Sequence, residues 1–267
     1  MRGAIKQFFN RIRRASWSYK QPLTLSPAVA GVPVSDLFVW RNSADWETFF
    51  ELTDLPGLFT GSDNAENIVT LMFFDETGLL FLEKTIVTQS NKRNTLDLNQ
   101  FIDGKHGDAG TFSVFHGCKP KKIGELGSYL SERGYVSYRY KGGVLRSYVH
   151  GNYDAIARLP DQTLQLLGGT GLRRREYHLQ LALVNGSTYQ LSIVNHAAKT
   201  QRISCKMLSS KGGILDSQAI DLTPRGVHFF KLKPQHDGHR VVIISQLIMA
   251  RPIVFQIQNQ TVDVFHG

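Results

Sequence analysis

Cysteine is scarce in this chain: Cys118 and Cys205 are the only two in 267 residues. Two distant thiols build neither a disulfide framework nor a paired-cysteine zinc site, so a bridged secreted scaffold is excluded and a reducing compartment is the natural reading. Long apolar runs are missing as well. Nothing approaches the ~20 apolar residues of a membrane-spanning helix. The nearest run, 241–250, is broken by Ser245 and Gln246 and reads as a core strand. No apolar segment of signal-peptide length follows the basic residues at the start. The expected location is therefore cytoplasmic, with attachment to a membrane surface from outside left open.

Catalytic signatures are absent in the same way. The phosphate-cradling GxxxxGK[ST], the GxSxG nucleophile elbow and the zinc-binding HExxH do not occur. Gly168-Gly169-Thr170-Gly171 lacks the following lysine and reads as a turn. His236 and His239, with His228 nearby, offer imidazoles but no third ligand, and the acidic loop 63–67 lacks the alternating spacing of a calcium loop. No cofactor and no metal are expected, and the chain leans away from being an enzyme.

Acidic residues are missing from the first twenty positions, which carry Arg2, Lys6, Arg11, Arg13, Arg14 and Lys20. The stretch 36–76 is the reverse, with Asp36, Asp45, Glu47, Glu51, Asp54, Asp63, Glu66, Asp75 and Glu76 against Arg41 alone. Basic clusters return at Lys119, Lys121, Lys122 and at Arg173, Arg174, Arg175, within a formal net charge of +9. Such asymmetry fits one surface that meets an anionic partner.

What the chain has in quantity is strand and turn material: 24 Gly and 16 Phe, with 42% hydrophobic residues. Residues 1–34 are read as a short amphipathic helix followed by a Pro/Gly linker. Ile5, Phe8, Phe9 and Ile12 recur with helical spacing and the arginines fall opposite, the composition of an interfacial anchor. Strands are expected at 37–40, 46–55, 68–74, 79–87, 111–115, 136–140 and 144–149. After a less patterned stretch at 152–163 they resume at 177–184, 189–194, 202–208, 214–220, 228–233, 240–246, 253–257 and 262–265. Hairpin turns are marked by Asp75-Glu76-Thr77-Gly78, Lys141-Gly142-Gly143, Asn185-Gly186 and Lys211-Gly212-Gly213. One helix is expected at 123–133, ended by Gly134.

The ends of the two halves read alike. Arg133-Gly-Tyr-Val, a hairpin, and Tyr148-Val-His150-Gly is matched by Arg251-Pro-Ile-Val, a hairpin, and Val264-Phe-His266-Gly. The fold class expected is all-β: two tandem β-sandwich-like domains, 35–155 and 163–267, related by an internal repeat and preceded by the basic amphipathic helix.

The leading functional expectation is a non-catalytic binding or scaffold protein for glycan or protein, held at an anionic membrane surface by Phe8, Phe9, Arg11, Arg13, Arg14 and Trp17. Candidate ligand-binding residues are Arg133, Tyr138, Arg139, Tyr140, His150, Arg251 and His266. Strand alternation puts Tyr138 and Tyr140 on one side and Arg139 on the other, so a stacking platform for sugars or bases is one reading and a core face backed by a wet basic face is the other. Two alternatives stand beside the first. One is a carbohydrate- or polymer-acting enzyme using carboxylates of 36–76 in a cleft between domains. The other is a nucleic-acid binder through the Tyr/Arg hairpin, less expected but open.

Overall fold

The computed structural model describes residues 32–53, 66–89, 92–102, 104–117, 131–132, 134–248 and 251–267. The N-terminal helix expectation, with Phe8, Phe9, Arg11, Arg13, Arg14 and Trp17, lies outside them, as do Arg133, Cys118 and most of the expected helix at 123–133.

The described chain is all-β. Its strands are β1 (Val34–Arg41), β2 (Trp46–Leu52), β3 (Glu66–Asp75), β4 (Leu80–Gln89), β5 (Asn94–Asp97), β6 (Ala109–His116), β7 (Ser131–Glu132), β8 (Tyr135–Tyr140), β9 (Ser147–His150), β10 (Asn152–Arg158) and β11 (Leu164–Leu166). They continue as β12 (Thr170–Leu183), β13 (Thr188–Val194), β14 (Gln201–Leu208), β15 (Ile214–Leu222), β16 (Val227–Leu232), β17 (His239–Leu247), β18 (Ile253–Gln258) and β19 (Thr261–His266). Each β-branched or aromatic run read from the sequence falls on one of these. Strands β5, β7, β10 and β11 are not read from the sequence, which places 131–132 at a helix end. There the backbone pairs in parallel with Val34 and Ser35, satisfying groups at the start of β1.

Four sheets form, antiparallel apart from β7: β11-β10-β1-β6-β3-β4 with β7 beside β1; β5-β2-β8-β9; β12-β17-β14-β15; and β16-β13-β18-β19. The strand order β1-β6-β3-β4 with β5-β2-β8-β9 becomes the order of the other two sheets when its strands are replaced, in chain order, by β12 to β19. One strand plan is thus drawn twice, with β7, β10 and β11 extra to the first drawing.

Two cores result. The larger holds Phe38, Phe50, Phe73 and Phe112, whose rings meet at centroid distances of 4.8 to 5.7 Å, and it runs on into the second half through Val227, Ile253, Phe255 and Val264. The smaller, around Leu191, Ile203, Cys205, Phe230 and Ile243, belongs to the second half alone. Burial raises the Cys205 thiol pKa to about 12, so it stays protonated and inert.

Besides the contact of β9 with β19, the halves are locked together at two places. The turn between β15 and β16 seats on the turn between β3 and β4. Thr111 Oγ1 donates to the Arg225 carbonyl at 2.7 Å, Val227 N to the Glu76 carbonyl at 3.0 Å and Arg225 Nε to the Gly78 carbonyl at 3.0 Å. Gly78 has φ +83°, and a Cβ there would lie 2.0 Å from the Pro224 carbonyl oxygen, so this contact requires glycine.

The second lock is Arg41. Its guanidinium carbon lies 3.5 Å from the ring centroid of Trp46, 4.7 Å from that of Phe229 and 4.9 Å from that of Phe255. Burial pulls its pKa down to about 9, opposed by Tyr138, Tyr140, Asp108 and Asp45, which leaves the group charged at neutral pH. Nη1 is shielded from solvent and has no hydrogen-bond partner among the described residues, where the aromatic faces offset its desolvation. Arg41→Ala is expected to lower the unfolding free energy by about 3 kcal/mol, through lost cation–π attraction and the cavity left behind. Urea denaturation reads this directly, and an unchanged midpoint would show that the guanidinium contributes nothing at the junction.

Candidate functional site

Alternation along β8 sends Val136, Tyr138 and Tyr140 toward the core and Tyr135, Ser137 and Arg139 to the outer face of the sheet β5-β2-β8-β9. Of the two readings that the sequence left open for Tyr138 and Tyr140, this arrangement is that of a core face backed by a wet one. Tyr138 is fully buried, donates its hydroxyl to the Val39 carbonyl at 2.8 Å and packs 4.9 Å from Phe255. Desolvation holds its pKa well above the usual phenol range. Tyr140 is half-buried against Trp46 at 4.7 Å. Neither presents a face on which a ligand stacks.

The outer face is where free aromatic surface stands. Tyr135 and Tyr148 are 44% and 45% exposed, and the Tyr135 ring lies 4.1 Å from that of His150, its neighbour across the hairpin. Tyr148 sits opposite Ser137 on the same face. Beside them Arg146 lies 3.5 Å over the ring of Phe49, with Arg139 at 5.4 Å. Arg139 is ion-paired through Nε to Glu47, which holds the Glu47 carboxyl below its usual range. Stacking surface, cations with remaining N–H donors and a carboxylate therefore alternate along one sheet face. Tyr135, Tyr148 and Arg146 belong to the run of interleaved tyrosines and basic residues visible in the sequence of this hairpin, and the two-residue period of β8 read against Arg139 puts Tyr135 on this face; nothing in the sequence pointed to Phe49.

The remaining candidates meet at the edge of this face. β9 and β19 run side by side, tied by Ser147 Oγ, which donates to Asp263 Oδ1 at 3.1 Å and accepts from Val264 N at 2.8 Å. His150 and His266 close these two strands, but their surroundings differ: His150 is exposed over Tyr135, whereas His266 is half-buried. Burial pulls the His266 pKa down to about 4, aided by Arg251 and then His150, with the Pro252 carbonyl acting the other way.

Elsewhere the sequence candidates are occupied by the fold. Of the acidic stretch, Asp36 is buried, Glu51 pairs with Arg93, and Asp75 accepts from Thr77 N and Leu79 N in its turn. A catalytic acid needs a raised pKa, and Glu47 moves the opposite way. Among the described residues no group of three or more His, Cys, Asp or Glu is placed to hold a metal, and His236 and His239 stand 6.1 Å apart. No described helix is long and apolar enough to cross a membrane. A cavity of about 370 Å³ lies beside β6 and β10, lined by Val32, Phe115, His116, Arg158 and Leu159. Of its polar residues, Arg158 pairs through Nη2 with Glu83 at 2.8 Å and His116 bonds Asn67 at 2.6 Å.

No protein-family model matches this chain. No curated protein matches it either. Among solved structures it is similar to a beta-glucuronidase from glycoside hydrolase family 2, at TM-score 0.15 and 10% identity over 86% of this chain and 23% of that one. A calcium-binding mutant of Bacteroides uniformis beta-glucuronidase 2 gives TM-score 0.18 and 9% identity over 86% and 25%. A glycosyl hydrolase family 2 member from Bacteroides cellulosilyticus gives 0.16 and 7% over 88% and 28%. The chain spans about a quarter of the length of these proteins.

The His266 environment has a pH signature. The folded pKa lies below the ordinary histidine value near 6.5, so the unfolded chain takes up a proton first as pH falls. The associated stability is fully present above about 6.5 and is lost as pH falls toward 4. After allowance for residual exposure the loss is on the order of 2 kcal/mol. His196, buried and shifted down by desolvation, acts with the same sign. His266→Gln is expected to flatten part of the fall in urea midpoint between about pH 7 and about pH 5. A variant with the full wild-type slope would remove His266 from the account.

Proposed function

We propose that this is a non-catalytic binding protein of two β-sandwich-like domains, 35–155 and 163–267, arisen by duplication, whose first domain takes a carbohydrate on the outer face of β5-β2-β8-β9. Duplication is supported by the strand plan common to both halves. The observation that carries the ligand reading is the pair Tyr135 and Tyr148, half-exposed on a sheet face beside ion-paired and ring-stacked arginines.

The chemistry suits a sugar. A pyranose has an apolar C–H face that stacks on a tyrosine ring and a rim of hydroxyls that needs both donors and acceptors. Arg139, Arg146 and His150 supply donors and Glu47 an acceptor, held in place before any ligand arrives, which limits the ordering cost of binding. Nucleic acid is the less suited ligand, because Glu47 faces the same side and Arg139 is already neutralised by it.

Tyr135→Ala and Tyr148→Ala are each expected to weaken glycan binding about tenfold, with no change in thermal midpoint because both rings stand at the surface. A glycan array identifies the ligand, and titration of the three proteins against it reads the loss. Absence of any glycan bound by the wild-type chain, or equal affinities in all three proteins, would sink the proposal.

A further inference from the structure

Two hairpin tips of this protein carry the same unusual sequence. Lys141-Gly142-Gly143-Val144-Leu145 lies between β8 and β9, and Lys211-Gly212-Gly213 joins β14 to β15, which opens with Ile214-Leu215. Val144 and Leu145 are 96% and 85% exposed; Ile214 and Leu215 are 59% and 50% exposed. Consecutive branched apolar residues left in water at a turn are the opposite of ordinary turn chemistry.

The shared strand plan accounts for one of the two pairs: the β3–β4 turn also ends in consecutive exposed leucines, Leu79 at 66% and Leu80 at 41%. In the shared strand plan β8–β9 corresponds to β18–β19 and β14–β15 to β3–β4, so the two tips occupy different places in the repeated unit. The corresponding β18–β19 turn is built from polar Asn259 and Gln260, with no apolar pair. Duplication thus accounts for an apolar pair at the β14–β15 tip but not for the one at the β8–β9 tip.

Strand register brings them to one end of the molecule. Leu208 pairs with both Ile214 and Arg240, and Leu183 pairs with His239, which puts the β14–β15 tip level with the end of β12. The short turn 184–187 leads from there to Thr188, opposite Ile257, hence to the β18–β19 tip. Gly143 of the β8–β9 tip adjoins Gln260 in that tip, and β9 runs beside β19 through Ser147 and Asp263. Val184, 46% exposed, lies in the turn between.

Charge accompanies the apolar residues. Lys141 and Arg146 bracket the first tip, while Lys211, Lys233 and Arg240 stand exposed at or near the second. Of the acids at this end, Asp216 accepts from Gln218 Nε2, Asp237 from Asn185 N and Asp263 from Ser147 Oγ, while Asp45 stands exposed beside Lys141, whose N–H donates to its carbonyl.

We infer that this end of the molecule rests on an anionic lipid bilayer, with Val144, Leu145, Ile214 and Leu215 entering the acyl boundary and the flanking Lys and Arg at the phosphate level. A bilayer suits separate protruding tips, since it flows around each one, whereas a folded protein partner requires a continuous complementary patch. Long basic side chains beside apolar ones suit an interface whose charge and oil lie a few ångströms apart.

The test is co-sedimentation of the full chain with phosphatidylcholine vesicles, with and without phosphatidylserine, at low and high salt. Val144→Ser with Leu145→Ser, and Ile214→Ser with Leu215→Ser, are each expected to lower partitioning about tenfold, and the four together about a hundredfold. All four side chains are exposed, so an unchanged near-ultraviolet circular dichroism spectrum confirms that the variants fold. Leu145→Trp is expected to gain fluorescence quenching by bromine-labelled acyl chains over the wild-type chain, and Tyr148→Ala to partition as wild type. A wild-type chain that does not sediment with phosphatidylserine vesicles overturns the inference. So does a quadruple variant that partitions unchanged, which would assign the contact to another segment such as 1–20, and so does Leu145→Trp with no added quenching.

Discussion

The structure depends on a sheet that is buried on both faces. In β16-β13-β18-β19, Val254 and Phe255 are neighbours in sequence yet belong to different cores, one to the second half and one to the first. A strand with one wet face would alternate apolar and polar residues; β18 instead begins Ile253-Val254-Phe255, all buried. Because the outer face of that sheet is part of the first half's core, the halves do not behave as beads on a string. Whatever one presents to a partner is fixed in orientation relative to the other.

Arg41 is the polar member of that shared core, and its position follows from the same geometry. It ends β1, with its backbone N–H and carbonyl both bonded to Thr48 Oγ1, so the side chain leaves the sheet where Trp46 and Phe255 meet. A guanidinium is weakly hydrated for a cation and presents a flat face to an aromatic ring, which makes arginine better suited than lysine to such a box. The seating of the β15–β16 turn on Gly78 fixes a second point, and two fixed points remove the hinge that one would leave.

Much of this was legible in the sequence because it is local. Period-two alternation and glycine turns locate strands such as β3, β13 and β18 and the turns between them. What escaped was non-local. Residues 152–163 looked less patterned, with Pro160 within them, yet β10 falls there and, with β11 just after, extends the first sheet because β1 offers an edge that only the folded chain brings near. The candidate site was half legible for a related reason. Alternation separates Arg139 from Tyr138 and Tyr140, but which side faces water is decided by the packing of Tyr138 on Phe255, far away in sequence. Choosing the buried pair as the platform was therefore a choice of face, and the exposed rings, Tyr135 and Tyr148, lay on the other. The matching His150 and His266 show the limit of reading function from a repeat. The same strand-end position is exposed in one copy and half-buried in the other, because the second copy's sheet is covered by the first half.

The two proposed surfaces are tied by a single hairpin. β9 runs from the tip carrying Val144 and Leu145, past Tyr148, to His150 beside Tyr135, so the apolar tip and the far ring of the aromatic platform are opposite ends of one short strand. At about 3.3 Å per extended residue, the five steps from Leu145 to His150 span about 16 Å. With the tip in a bilayer, a ligand on Tyr135 would stand roughly one strand-length above the headgroups, close enough to belong to the membrane's own surface and too far to be the lipid that holds the tip. The strand fixes that separation, and the doubly buried sheet beside it keeps the second tip at the same end.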